Sequence, residues 1–332
     1  MKNYVVMTSI NAPTEAVRKY AEMKDWKTIM VGDKKTPAGW NYKNVTYISP
    51  EDQLKLPYSI VEKLPWNLPA RANLAYLEAM REGAEFITQS DDDNIPNKRW
   101  SAFPFTGKFK TLKQDGFVNI YKHFTEKFVW PRGYPLNMIL TDNKPKEIDA
   151  EHKIGAWQHL ADKDTDVDAI YRLVNNDFVY FKDRKPLVLS PGTICPFNCQ
   201  STTFHKDTYV LMYLPSYITP RASDILRGLV AQPIMAHYGY SLGFTPSTVT
   251  QERNPHNYLR DFKEEILIYL HSEEIVNITK KALQEKVSMS ENMLLAYEAL
   301  VQAKLVPPEE IPLLKAWIKD VESVTTGKKK KK

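Results

Sequence analysis

The first hundred residues alternate short β-rich runs with helix-length segments, a pattern that commits a chain to strands laid side by side and joined by crossover helices. YVVMTSI (4–10) predicts a strand, PTEAVRKYAEM (13–23) a helix with proline and an acid at its start, and KTIMVGD (27–33) a second strand. NVTYISP (44–50) adds a third. LPARANLAYLEAMREG (68–83) then predicts a helix with Leu74, Leu77 and Arg81 along one face, Gly83 as its C-terminal stop, and AEFITQS (84–90) as the strand that follows at once. Helix, glycine and strand therefore deliver Asp91, Asp92 and Asp93 to the C-terminal end of a strand, where open α/β sheets bind ligands.

The middle of the chain, about 100–155, is aromatic and proline-bearing, with GFVNIYKHF and FVWPRGYPL predicting sheet extension and long ordered loops. Helical character returns in TDVDAIYRL (165–173) and in SDILRGLVAQPIMAHYG (223–239). In the latter, Ser223 and Asp224 stand where an N-cap belongs, and Pro233 is expected to bend or end the helix. Beyond about 260 the text becomes helical throughout, and no internal repeat is found.

Composition narrows the function classes. With 43% hydrophobic and 26% charged residues among 332, the chain is an ordinary globular one. The formal charge of +5 comes from the terminal run Lys328–Lys332; without it acids and bases are equal. A neutral body argues against nucleic-acid binding, which needs a basic face. The tail could touch anionic lipid but reads better as a solvated tail. No apolar run is long enough for a transmembrane helix, and the N-terminus lacks a signal peptide's pattern, so the expectation is a soluble, cytoplasmic chain. Cys195 and Cys199 are the only cysteines, too few for a tetrahedral zinc site, and are read as thiols in a reducing compartment.

Three adjacent carboxylates repel one another. A divalent ion offsets that repulsion, and Mg²⁺ or Mn²⁺ takes oxygen ligands, often one or two carboxylates together with substrate phosphates. On an extended backbone Asp91 and Asp93 point one way and Asp92 the other. Asp93 is thus read as the direct ligand, Asp91 as the partner of metal-bound water or a ribose, and Asp92 as the support of the loop. The competing reading is a turn capped by its own aspartates.

Longer stretches carry a resemblance. MTSINAPTEAVRKYAEMKDWKTIMVGDKKTP, LPWNLPARANLAYLEAMREGAEFITQSDDDN and NIYKHFTEKFVWPRGYPL resemble the STELLO-type glycosyltransferase-like family, itself distantly similar to reversibly glycosylated polypeptides and other GT-A transferases. KIGAWQHLADKDTDVDAIYRL, CPFNCQSTTF and QERNPHNYLRDFKEE extend the likeness to about residue 265, about four fifths of the chain. The resemblance implies an α/β GT-A fold, a Rossmann-like mixed sheet flanked by helices. Residues 1–265 would form the transferase domain, with 1–100 as the nucleotide-sugar and metal half and 101–265 as the acceptor half. Residues 266–327 would be a helical extension and 328–332 the lysine tail. Plant members of the family carry membrane anchors, whereas this chain reads as a bare catalytic domain.

Its functional implications are a metal-dependent transfer of sugar from a nucleoside diphosphate, uridine by default, to a glycan or other hydroxyl acceptor, with Mn²⁺ or Mg²⁺ as cofactor. Asp91, Asp93 and His256 would form the metal shell, with His237 as the alternative histidine. Thr8, Asn11, Asp33, Lys34, Lys35, Arg71 and Asp91 would meet the nucleotide. Asp224 would be the general base of an inverting reaction, with Arg221 and Arg227 beside it for phosphate or an acidic acceptor. Trp130 and Trp157 are candidates for stacking on sugar rings. Two rival readings follow the same residues: a nucleotide-sugar mutase or self-glycosylating protein, and a non-catalytic organiser of another transferase.

Overall fold

The computed structural model describes residues 2–142 and 144–326, so the lysine tail lies outside the described residues. Within them the chain forms one mixed α/β body around a ten-stranded sheet. The first six elements are β1 (Asn3–Thr8), α1 (Glu15–Ala21), β2 (Trp26–Val31), β3 (Val45–Ile48), α2 (Pro50–Gln53) and α3 (Ala72–Arg81). With β4 (Phe86–Ser90) they lay down four parallel strands in the order β3, β2, β1, β4. β1 reads as a continuous apolar run because both its faces are covered, as in parallel sheets generally.

Local signals explain the boundaries. Thr14 caps α1 by accepting from the Val17 N–H, and Glu15 occupies the first turn. Gly83 stands at φ +85°, a conformation open to glycine, and so ends α3 and turns the chain into β4 within a few residues.

The second half runs β5 (Asn94–Pro96), β6 (Thr106–Lys113), β7 (Gly116–Phe117), α4 (Tyr121–Phe124), β8 (Lys146–Lys163) and α5 (Ala169–Val174). β9 (Leu187–Leu189), β10 (Thr193–Ile194) and β11 (Ser201–His205) follow, then α6 (Pro220–His237) and β12 (Tyr240–Gln251). β11 lies antiparallel between β4 and β8, which joins the two halves into one sheet. The long β8 pairs with β6 along its first part and with β11 and β12 along its second. β5 closes the far edge on β12. This large central sheet flanked by helices is the arrangement that a GT-A fold has.

One expectation changes here and another narrows. The helix expected at 223–239 begins at Pro220, with Thr219 at its N-cap, so Ser223 and Asp224 lie in its second turn and cap nothing. Proline at the first helical position is the stronger start signal, because its missing N–H would go unsatisfied there anyway. Pro233 does not end the helix, which runs on to His237.

Beyond the sheet come α7 (Tyr258–Glu264), α8 (Ile266–Ala282), α9 (Met289–Gln302) and α10 (Glu310–Thr326). α10 packs against α3, with the Trp317 indole donating to the Val210 carbonyl at 2.8 Å. Asp320 accepts the Ser59 and Ile60 N–H groups at 2.8 and 2.9 Å, and buried Glu310 accepts those of Ser216 and Tyr217. These helices therefore share the main core with α3 and fasten two loops by carboxylate caps. No helix of the described residues is long and apolar enough to cross a membrane.

Candidate active site

The turn after β4 is pinned from below. The Asp91 N–H donates to the Gln200 carbonyl at 3.3 Å, the Asn94 side-chain amide donates to the same oxygen at 2.8 Å, and the Asn94 N–H closes the turn on the Asp91 carbonyl at 3.2 Å. Asp92 turns toward β1, where its carboxylate accepts from the Ser9 hydroxyl and, at 3.0 Å, from the Asn11 amide. It supports the loop, as the alternation of the three residues suggests.

Asp91 and Asp93 are left facing one another's charge. Among the described residues no donor or cation lies within hydrogen-bonding distance of the Asp91 carboxylate. Burial first, and then the charges of Asp93, Asp224, Asp92 and Asp166, hold its carboxyl well above the usual carboxylate range. Asp93 is pushed up to about 6 by burial and by Asp92, against a long bond from the Gln251 amide (3.4 Å) and the charge of Arg253. Two carboxyl groups at a strand end, each disfavoured as an anion by burial and by neighbouring acids, leave hard oxygen donors without an ion-paired cation among the described residues.

Beside them lies a cleft of about 440 Å³ lined by Thr8, Asn11, Asp33, Arg71 and Asp92 among others. Five of the expected nucleotide contacts, Thr8, Asn11, Asp33, Lys35 and Arg71, are thus brought together. Lys34 is not on this wall: its ammonium sits 5.1 Å over the Trp66 ring, and Lys35 lines the cleft instead. Arg71 is only 1% exposed, with its Nε on Gln53, its Nη1 on the Leu64 carbonyl at 3.0 Å and its guanidinium 3.6 Å over the Trp66 ring. Its Nη2 has no partner among the described residues. Burial lowers its pKa to about 10, with Asp33 opposing. Rather than a solvated fork, Arg71 is a fixed strut with one donor to spare. A smaller lobe of about 250 Å³ continues the cleft past Asn11, Asp92 and Asn254 to Glu15, Asp93 and Glu252.

On the other side of the aspartates stands a buried ion network. Arg132 donates Nη1 and Nη2 to the two oxygens of Asp224, each at 2.9 Å, and Nε and Nη2 to Asp166 at 2.8 and 3.0 Å. Asn198 and the Cys199 N–H complete it, donating to Asp166 and Asp224 respectively. Asp224 is oriented by Arg132, not by a helix terminus, and both its oxygens are engaged. Arg221 is paired with Glu265, and Arg227 donates to Gln89 and to the Asn198 carbonyl. Cys195 and Cys199 are free thiols, and burial pushes Cys195 up to about 12.

His256 is held at some remove. Its Nδ1 lies 2.9 Å from Asp261 and 3.4 Å from Arg253, and its pKa is lowered by burial and then by Arg253. Among the described residues no three His, Cys, Asp or Glu side chains converge on one point, so Asp91, Asp93 and His256 do not form a ready-made cluster. His237 lines a separate cavity of about 340 Å³ near Glu285. Trp130 and Trp157 are 4% and 0% exposed, with indole N–H groups on Asp168 and the Pro104 carbonyl, so neither offers a face to a sugar.

Three participants escaped the sequence reading: Arg132, Asp166 and Arg253. Asp166 sits in the alternation Asp164, Asp166, Asp168, which is a visible signal of clustered carboxylates. Nothing near Arg132 in the sequence points to partners 34 and 92 positions away.

Comparison with known proteins agrees with this architecture. The family model described as STELLO glycosyltransferases matches residues 221–328. The chain is similar to probable glycosyltransferase STELLO1 of Arabidopsis thaliana, 24% identical over 97% of this chain and 44% of that protein. It is also similar to probable glycosyltransferase STELLO2 of the same plant, 26% identical over 75% of this chain and 35% of that protein. The chain thus spans less than half the length of the curated relatives it matches. Motifs, sheet order and relatives thus agree in making the chain similar to the STELLO-type glycosyltransferase-like family.

Proposed function

We propose that this chain is a metal-dependent glycosyltransferase that moves a sugar from a nucleoside diphosphate, uridine diphosphate by default, to an acceptor hydroxyl with inversion. The observation that carries the reading is the pair Asp91 and Asp93, under-compensated in charge on either side of Asp92, which lines the cleft with Thr8, Asn11, Asp33 and Arg71, while Asp93 lines the lobe that continues it. The donor set fits Mn²⁺ or Mg²⁺: hard carboxylate oxygens with no cation of their own at Asp91, and room left for phosphate oxygens. His256 would join as an imidazole whose Nδ1 is fixed by Asp261, leaving Nε2 for an ion. A bound ion supplies positive charge against the departing diphosphate.

The acceptor oxygen attacks the anomeric carbon from the face opposite the diphosphate. The carbon–oxygen bond to the diphosphate breaks with its electron pair, and the hydroxyl proton goes to a carboxylate. Asp224 is proposed for that role. Its bidentate pairing with Arg132 orients it to accept a hydrogen bond from the hydroxyl, and it has to loosen from Arg132 to receive the proton.

Thermal unfolding with uridine diphosphate, with Mn²⁺ and with both tests the reading. A ligand at about 100 times its dissociation constant adds about 2.7 kcal/mol to the folded state, so the combination should raise the midpoint clearly. Asp93→Ala should lose the metal-dependent part. Asp224→Asn should keep nucleotide binding and lose transfer. Absence of any shift with metal and the uridine, guanosine, adenosine and cytidine diphosphates sinks the transferase reading.

A further inference from the structure

The loop after β12 carries a side chain that neither the sequence nor the proposed mechanism uses. Arg253 is flanked by Glu252 and Asn254, both of which line the donor lobe beside Asp93. Its charge acts on Asp93 and His256 as well as on Arg221, Asp166, Arg172 and Arg132, so it stands between the aspartates and the ion network. Three of these arginines are committed. Arg132 holds Asp166 and Asp224, Arg221 holds Glu265, and Arg172 reaches Asp164 and the Thr165 carbonyl.

Arg253 is different. Its side chain is 8% exposed, its Nε, like those of Arg172 and Arg227, is buried without a partner among the described residues, and its Nη2 lies 3.4 Å from His256 Nδ1 and reaches Asp261 only at 3.8 Å, so no carboxylate among the described residues is hydrogen-bonded to it. The same Asp261 oxygen is taken at 2.9 Å by His256. A buried guanidinium without a hydrogen-bonded carboxylate is costly, and its planar fork matches the two oxygens of a carboxylate or phosphate.

We propose that Arg253 reads an anionic group, carboxylate or phosphate, on the acceptor, so that the acceptor is an acidic sugar or a phosphorylated one. The inference rests on the transferase reading for the word acceptor, while the anion site stands on the geometry of Arg253 alone. Arg221 and Arg227, the arginines that the sequence offers for an acidic acceptor, are already engaged.

The test uses the full chain with Mn²⁺ and uridine diphosphate, titrated with methyl glucuronide, glucose 6-phosphate and methyl glucoside, followed by ligand-observed NMR. Wild type should prefer one of the two charged sugars over the neutral one, and which one it prefers separates carboxylate from phosphate. Arg253→Gln should lose that preference, about ten- to hundred-fold in affinity, and Arg253→Lys should keep part of it. Arg253→Lys serves as the second variant if the glutamine protein fails to fold. No preference in wild type, or an undiminished one in both variants, overturns the proposal. Loss of uridine diphosphate affinity in Arg253→Gln with the sugar preference intact assigns the arginine to the donor and overturns it too. Uridine diphosphate binding by wild type, read in the same samples, judges the transferase reading separately.

Discussion

Asp93 illustrates how a single carboxyl can oppose folding and serve binding. Its pKa stands at about 6 because burial and Asp92 disfavour the charge. An unfolded aspartate titrates near ~3.9. Between those values the folded state holds the extra proton, so without metal, stability falls as pH rises through about 6 and stays reduced above it. Asp93→Asn should therefore stabilise the metal-free protein at pH ~8 by on the order of 1–2 kcal/mol in urea unfolding, with little effect near pH ~4. Metal binding runs the other way, since ligands must lose their protons. The stabilisation given by Mn²⁺ should grow through about pH 6 and level off above it. A Mn²⁺ effect that is flat across that window, or an unchanged Asp93→Asn protein, would count against the site.

Elements carry the next level of argument, and α6 is the most informative. An added Cβ at Gly228 would stand 2.5 Å from the Phe197 carbonyl oxygen, a backbone atom, and 3.1 Å from its ring. α6 can lie this close to the 195–199 segment only because the residue is glycine, and that segment presents Asn198 and Cys199 to Asp166 and Asp224. Gly228→Ala should cost about 1–3 kcal/mol in chemical unfolding even though alanine is the better helix former. An equal or higher stability would mean that the segment yields easily.

The same helix shows what the sequence makes legible. The alternation of strands and helices through residue 90 could be read because period, capping and glycine stops are local signals, and each of those elements forms where they direct. The start of α6 could not be placed from Ser223 and Asp224, since Pro220 competes for the same role three residues earlier. Thr8, Asn11, Asp33 and Arg71 meet in one cleft because strand ends converge, which topology alone predicts. The pairing of Asp224 with Arg132 and the burial of Trp130 and Trp157 depend on which distant segments meet. No local pattern encodes that.

At the scale of the whole molecule, the three aspartates join strands that lie in different parts of one sheet. β4 sits between β1 and β11, and β5 pairs with β12 at the far edge. Beneath the turn, Gln251 reaches both Gln200 and Asp93, and the Glu252 N–H bonds the Asp93 carbonyl. The turn is in effect a clasp across the seam between halves that contribute the cleft beside Asp92 and the ion network. Whatever it grips must slow the breathing of both. On adding Mn²⁺ with uridine diphosphate, amide hydrogen exchange should slow at Ile95 and Thr250, which face each other across β5 and β12, as well as at the aspartates. Exchange in the remote turn between α8 and α9 should stay as it was. Protection confined to the first half would mean that the clasp is open. A molecule built this way would report occupancy of its cleft through the stiffness of its seam.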